Sequence, residues 1–216
     1  MSLIPWLKKF SSGEIDLILG SASQPRKKIL QQLQIPFTVV ASDFNEDLDK
    51  ESFLLDLSEY PLATADEKAR DILTRLEITK PTILVTCDTV AILDKKLILE
   101  KPLNRQRGIE MTLSMSGKEH DVVTGVVVTF LDEGVYDRIS FKSTSIVTFA
   151  DLEKSEVDSY VETGEALDKA GGYSIQGIGE LLIKELKGSF TNVVGLPLHE
   201  LAVTLALLLS RNMEPK

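Results

Sequence analysis

Apolar residues fall along this chain in two rhythms, near-continuous runs and spacings of three and four, and their alternation predicts strands interleaved with helices. The runs predict strands over 16–20, 36–41, 83–93, 121–131, 135–149 and 181–186, with a short return strand through Leu99 after a turn at Asp94-Lys95-Lys96. The turn Asp132-Glu133-Gly134 joins two long runs, which should form an antiparallel pair. Helical spacing marks 24–34 through Ile29, Leu30 and Leu33, and 60–76 through Ala65, Ala69, Ile72, Leu73 and Leu76. Further helices are predicted over 104–115, closed by Ser116-Gly117, over 153–163, stopped by Gly164, and over 198–209.

Polar residues inside these patterns are the candidates for chemistry. Asp88 interrupts the apolar run 83–93, and burying an ionised carboxylate costs several kcal/mol unless a cation or donors compensate it. It either caps a strand end or performs chemistry; the run alone leaves both open. Ser23 is a good N-cap for helix 24–34, and Pro25 suits its first turn. Arg26 lies three, four and seven positions before Ile29, Leu30 and Leu33, so it shares the inward face beside Ser21 and Ser23. Hydroxyls, free N–H groups and an arginine at a helix start suit an anion, while a snorkelling arginine beside ordinary serine caps fits the same residues. Lys68 sits at the edge of the stripe in helix 60–76, and it either snorkels to water or reaches a phosphate or carboxylate. Hairpin pairing would return Lys101 toward Asp88. In the acidic loop 42–47 a carboxylate could face a divalent cation or merely be solvated. The glycine-rich loop 167–179 permits close backbone approach, and its Gln176 can both donate to and accept from a base edge.

Composition narrows the classes. The 216 residues, 43% of them hydrophobic, can fill a proper core. A net charge of −9 argues against a duplex nucleic acid partner, yet allows a local basic pocket. The lone Cys87 excludes an internal disulfide or a cysteine zinc cluster and fits a reducing compartment, and two distant histidines disfavour a histidine metal site. No stretch approaches a spanning length, so no membrane role is expected. Residues 1–15 read as an N-terminal extension, with Trp6 packing on the body, and 16–216 as a single domain.

Several blocks, in order, resemble the Maf family of nucleoside triphosphate pyrophosphatases: LILGSASQPRKKIL, ASDFNE, DEKA, CDTVAILD, EKP, SGKEHDVVTGV, ETGEALDKAGGYSIQG and NVVGLPL. The resemblance implies an α/β fold of the inosine triphosphate pyrophosphatase kind, a long twisted mixed sheet flanked by helices, with a cleft between two lobes. It implies that Asp88 is the general base, Lys68 and Lys101 contact phosphates, Ser21, Ser23 and Arg26 form the phosphate-binding turn, and Glu46 lies near the metal. Asp168 and Lys169 fall in a substrate-binding block. Thr89 and Gln176 look like the subgroup acting on dTTP, UTP and modified pyrimidine nucleotides. The chain departs from that subgroup at Gln24-Pro25-Arg26, where Pro-Arg-Arg is common, and Pro25 stands at a position linked to specificity. A divalent cation (Mg²⁺, Mn²⁺ or Co²⁺), a homodimer and a cytoplasmic setting are also implied. The alternatives are a purine house-cleaning pyrophosphatase acting on 7-methyl-GTP or ITP, and a nucleotide-binding regulator of cell division.

Overall fold

The computed structural model describes residues 3–213; two residues of the predicted extension and three of the predicted domain lie outside them. In chain order the elements are α1 (Leu7–Ser11), β1 (Asp16–Leu19), α2 (Gln24–Gln31), β2 (Thr38–Val39), α3 (Glu59–Leu73), β3 (Thr82–Leu93) and β4 (Leu97–Leu99). Then follow α4 (Arg105–Met115), β5 (Glu119–Asp132), β6 (Val135–Phe149), α5 (Lys154–Glu162), β7 (Ile183–Lys187), α6 (Phe190–Val194) and α7 (Leu198–Met213). The described residues form one mixed sheet of seven strands in the order β2-β1-β3-β5-β6-β7, with β4 added to β3, and helices flank it. β1 is parallel to β2 and β3, and the other pairings are antiparallel. The chain is therefore α/β, as its alternating rhythms require.

β3 is the strand around which the rest is arranged. Its odd positions Ile83, Val85 and Cys87 pack into a core with Ile29 and Leu30 of α2, Leu201 and Leu205 of α7, and the N-terminal Leu3, Trp6 and Phe10. On its other face, Leu84 packs against Ala65, Ala69 and Ile72 of α3, and Val90 and Ile92 against Tyr60. A further core beyond β4 is built by Ile109, Met111 and Met115 of α4 with Val157, Tyr160 and Val161 of α5. These cores make two lobes, and the space between them opens at the middle of β3.

That opening follows from register. β1 pairs with β3 only as far as Leu19↔Val85, and β4 begins at Ala91↔Leu99, so residues 86–90 have no strand beside them on that edge. The chain leaving β1 and the chain leaving β4 both enter this gap. The hairpin between β3 and β4 is tight: three residues, 94–96, join the strands, Asp94 and Lys95 are at positive φ, and the Lys96 N–H donates to the Leu93 carbonyl at 3.0 Å.

Three predicted boundaries are corrected. The strand expected over 36–41 is reduced to Thr38–Val39, because Pro36 lacks an N–H and only the short β1 offers a partner. α2 stops at Gln31 rather than 34, since Gln34 turns to φ 55° ahead of Pro36. The strand expected over 181–186 starts at Ile183, preceded by a 3-10 turn over Ile178–Leu182. The Glu165 carboxylate accepts the N–H groups of Ile178 and Gly179, giving the backbone there an alternative to the sheet.

Candidate active site

Asp88 is 8% exposed, and its neighbour across β5 in the register is Gly125. A Cβ at Gly125 would lie 2.3 Å from the Leu62 backbone nitrogen, so the glycine lets the first turn of α3 rest directly on the sheet. Pro61 fits that first turn, where an N–H would lack a helical partner. The helix is tied down further by Thr86, whose hydroxyl donates to the Ala65 carbonyl at 2.8 Å. Docked this way, α3 brings Lys68, two turns on, over Asp88. Lys68 Nζ lies 2.8 Å from Asp88 Oδ1 and 2.9 Å from Glu46 Oε1.

Lys68 is itself only 7% exposed, so a buried ammonium joins two carboxylates that enter from different elements. Glu46 belongs to the irregular loop after β2, which Asp71 of α3 anchors by accepting from the Ser42 hydroxyl and the Asp43 N–H, each at 2.9 Å. Burial pushes the Glu46 carboxyl up, but the Lys68 ammonium, with Lys101 and Arg26 farther off, outweighs it and holds the group below its ordinary value. Asp88 gives one oxygen to Lys68; Oδ2 has no hydrogen bond to a described residue.

The turn after β1 forms the opposite wall. Ser23 caps α2 by accepting from the Arg26 N–H, and the Ser21 hydroxyl accepts from the Ser23 N–H at 3.3 Å. The Arg26 side chain turns inward. Nε donates to the Gly195 carbonyl at 2.8 Å, and the two terminal nitrogens donate to Ser21 Oγ at 3.2 Å and Thr89 Oγ1 at 2.9 Å. All three partners are neutral oxygens, so the guanidinium forms no ion pair with a described residue. Lys101 also lines the cleft and forms no ion pair with a described residue. Lys169 is paired with its neighbour Asp168, and Glu100 with Lys50.

A cleft of about 640 Å³ is lined by every residue singled out from the sequence: Ser21, Ser23, Pro25, Arg26, Glu46, Lys68, Asp88, Thr89, Lys101, Asp168, Lys169 and Gln176. The chain thus gathers, from stretches up to 155 positions apart, two uncompensated cations facing a carboxylate–ammonium–carboxylate cluster. Such a volume and charge pattern suits a polyanionic small molecule. Two contributors were not anticipated. Gly125 carried a readable signal, an isolated glycine in a strand run; Gly195 lay in a segment without clear periodicity.

A family profile described as "Maf-like protein" matches residues 16–208. The chain belongs to the Maf-like family. Its Maf-like relatives include a protein of Halalkalibacterium halodurans named dTTP/UTP pyrophosphatase, 40% identical, with 84% of this chain and 90% of that protein covered. A Ruminiclostridium cellulolyticum protein of the same name is 33% identical over 86% of this chain and 92% of its own length. A human protein named probable bifunctional dTTP/UTP pyrophosphatase/methyltransferase is 38% identical over 85% of this chain, which spans only 30% of that longer protein. Among solved structures, the Staphylococcus aureus Ham1 protein overlays 92% of this chain and all of its own at 14% identity and a TM-score of 0.42, too loose to bear on the site.

Among the described residues no group of three or more His, Cys, Asp and Glu side chains could hold an ion. Glu46 and Asp88 alone converge, both on Lys68 Nζ, as hard oxygen donors. Two such carboxylates fit a divalent cation whose remaining ligands come from substrate phosphates and waters.

Proposed function

We propose that this chain is a nucleoside triphosphate pyrophosphatase that hydrolyses dTTP, UTP and modified pyrimidine nucleotides to the monophosphate and pyrophosphate. The observation that carries the reading is the pairing of an Asp88 carboxylate, fixed by the buried Lys68, with two uncompensated cations, Arg26 and Lys101, lining the same cleft. The names of the relatives at 33% and 40% identity supply the nucleotide class.

In this reading the triphosphate lies along the gap in the sheet. Arg26, Ser21, Ser23 and Lys101 hold its phosphates, with Lys169 and Asp168 at the rim. Asp88 Oδ2 takes the proton of a water that attacks the α-phosphorus, while Lys68 on Oδ1 fixes the carboxylate and balances its charge. As the new P–O bond forms, the bond from the α-phosphorus to the α–β bridging oxygen breaks and pyrophosphate leaves with its negative charge facing the cations. Glu46 would hold a divalent cation, which when bound would supply further neutralisation of that charge. Gln176, on the glycine-rich loop, faces the base, and Pro25 borders it.

The reading includes a homodimer, checked by sedimentation, and a cytoplasmic setting, checked by fractionation. No helix among the described residues is long and apolar enough to cross a membrane. The direct test is product analysis with purified protein, Mg²⁺ or Mn²⁺ and a panel of triphosphates. Monophosphate and pyrophosphate, fastest from dTTP or UTP, are expected. Preference for ITP or 7-methyl-GTP would keep the reaction and overturn the base; binding without turnover would replace the enzyme by a nucleotide-responsive regulator.

A further inference from the structure

Arg26 is held by more than its three immediate partners. Thr89 Oγ1, which accepts from it, lies 2.9 Å from Thr124 Oγ1 on β5, and Thr124 Oγ1 lies 3.1 Å from the Asn192 carbonyl in α6. The ends of this row fix the direction of every proton in it. A guanidinium can only donate and a carbonyl can only accept, so Thr124 gives its one hydroxyl hydrogen to Asn192 and must accept from Thr89. The Asn192 carbonyl also accepts the Gly195 N–H at 2.9 Å, and the Gly195 carbonyl accepts Arg26 Nε at 2.8 Å. The row is therefore a closed ring: Arg26, Thr89, Thr124, Asn192, Gly195 and back to Arg26.

The ring is anchored in the core. Thr124 and Asn192 are fully buried, and Asn192 Nδ2 donates to the Val122 carbonyl and to Ser145 Oγ, each at 3.0 Å. Gly195 adopts φ +115°, and a Cβ there would lie 3.2 Å from Arg26 Nε and 3.4 Å from Thr89 Oγ1, so the ring closes only around glycine. Of the five guanidinium hydrogens three are committed, to Gly195, Ser21 and Thr89. One remains on each terminal nitrogen, free to donate to a phosphate. The Thr89 hydroxyl hydrogen is committed to Thr124, so Thr89 has none to donate to a nucleotide base.

We propose that Thr124, which lines no part of the cleft, is a positioning residue: through Thr89 it aims the two remaining Arg26 hydrogens at the substrate phosphates. This rests on the reading above that Arg26 grips a nucleotide's phosphates. Thr124→Val keeps the side-chain shape and removes the hydroxyl, whereas Thr124→Ser keeps the hydroxyl. The expected result for Thr124→Val is a rise of about tenfold in KM for the triphosphate and in Kd for inorganic pyrophosphate, the order that loss of the neutral hydrogen bonds seating Thr89 beneath Arg26 implies. The kcat should stay within about twofold, and Thr124→Ser should restore both constants. Unchanged constants in Thr124→Val, a loss confined to kcat, or a serine variant no better than the valine one would overturn the proposal. Should Thr124→Val not fold, Thr124→Ala against Thr124→Ser reads the same link with the same expectation. A wild-type chain that hydrolyses no triphosphate would sink the proposed reaction, and the pyrophosphate constants would then decide the positioning role alone. Wild type that neither hydrolyses a triphosphate nor binds pyrophosphate would overturn both.

Discussion

Lys68 illustrates how burial turns an ordinary residue into a component of a site. At 7% exposure its ammonium depends on Asp88 and Glu46 for the solvation that water no longer supplies. The dependence is mutual, because Asp88 is buried to a similar degree. Lys68→Met should therefore destabilise the fold by about 3 kcal/mol, the order found when one partner of a buried pair is removed; urea unfolding at neutral pH measures it, and an unchanged midpoint would contradict the pairing. At this scale the sequence was legible where a charge broke an apolar rhythm. Asp88 and Lys68 stood out for that reason, and Arg26 for its place on an inward stripe. What spacing could not show is who meets whom: Lys68 takes carboxylates from two different elements, and Arg26 takes only neutral oxygens, one of them from Gly195, 169 positions on.

At the level of elements, α3 and β5 show a contact set by the absence of a side chain. With a would-be Cβ at Gly125 2.3 Å from the helix backbone, Gly125→Ala must push α3 off the sheet and carry Lys68 with it. We expect a loss of about 2 kcal/mol or more, as overpacking of a filled core gives, together with lost turnover; a fully active, equally stable alanine variant would refute that packing account. β5 also carries His120, whose Nε2 lies 2.8 Å from the Tyr173 hydroxyl, with Phe149 edge-on beside both rings. Burial pushes its imidazole down to about 4. Between an unfolded histidine near 6.5 and that folded value, the unfolded chain binds a proton that the folded one refuses, so stability falls as pH falls through the window. The full loss is about 3 kcal/mol. Urea midpoints from pH 7 to pH 4 should show it, and His120→Phe should flatten that part of the profile. The long strands and most helices were readable from periodicity, whereas the turn before β7 was not, because the Glu165 carboxylate that captures its N–H groups comes from an earlier turn.

For the whole molecule, the decisive feature is a gap rather than an element. β1 ends too early and β4 begins too late to cover residues 86–90, and two lobes with separate cores rise on either side. Strand lengths hinted at this, but the register that leaves β3 bare is a property of the assembled sheet. The gap reconciles a net charge of −9 with a polyanionic ligand, since its walls carry two cations, Arg26 and Lys101, that form no ion pair with a described residue. The central claim is that Asp88 directs water to the α-phosphorus across this gap. It is tested most directly by hydrolysing dTTP or UTP in ¹⁸O-labelled water with wild type and Asp88→Asn. The account predicts label in the monophosphate only, unlabelled pyrophosphate, and a rate lower by about a thousandfold in the variant. Label in released orthophosphate or pyrophosphate, or a variant as fast as wild type, would contradict it.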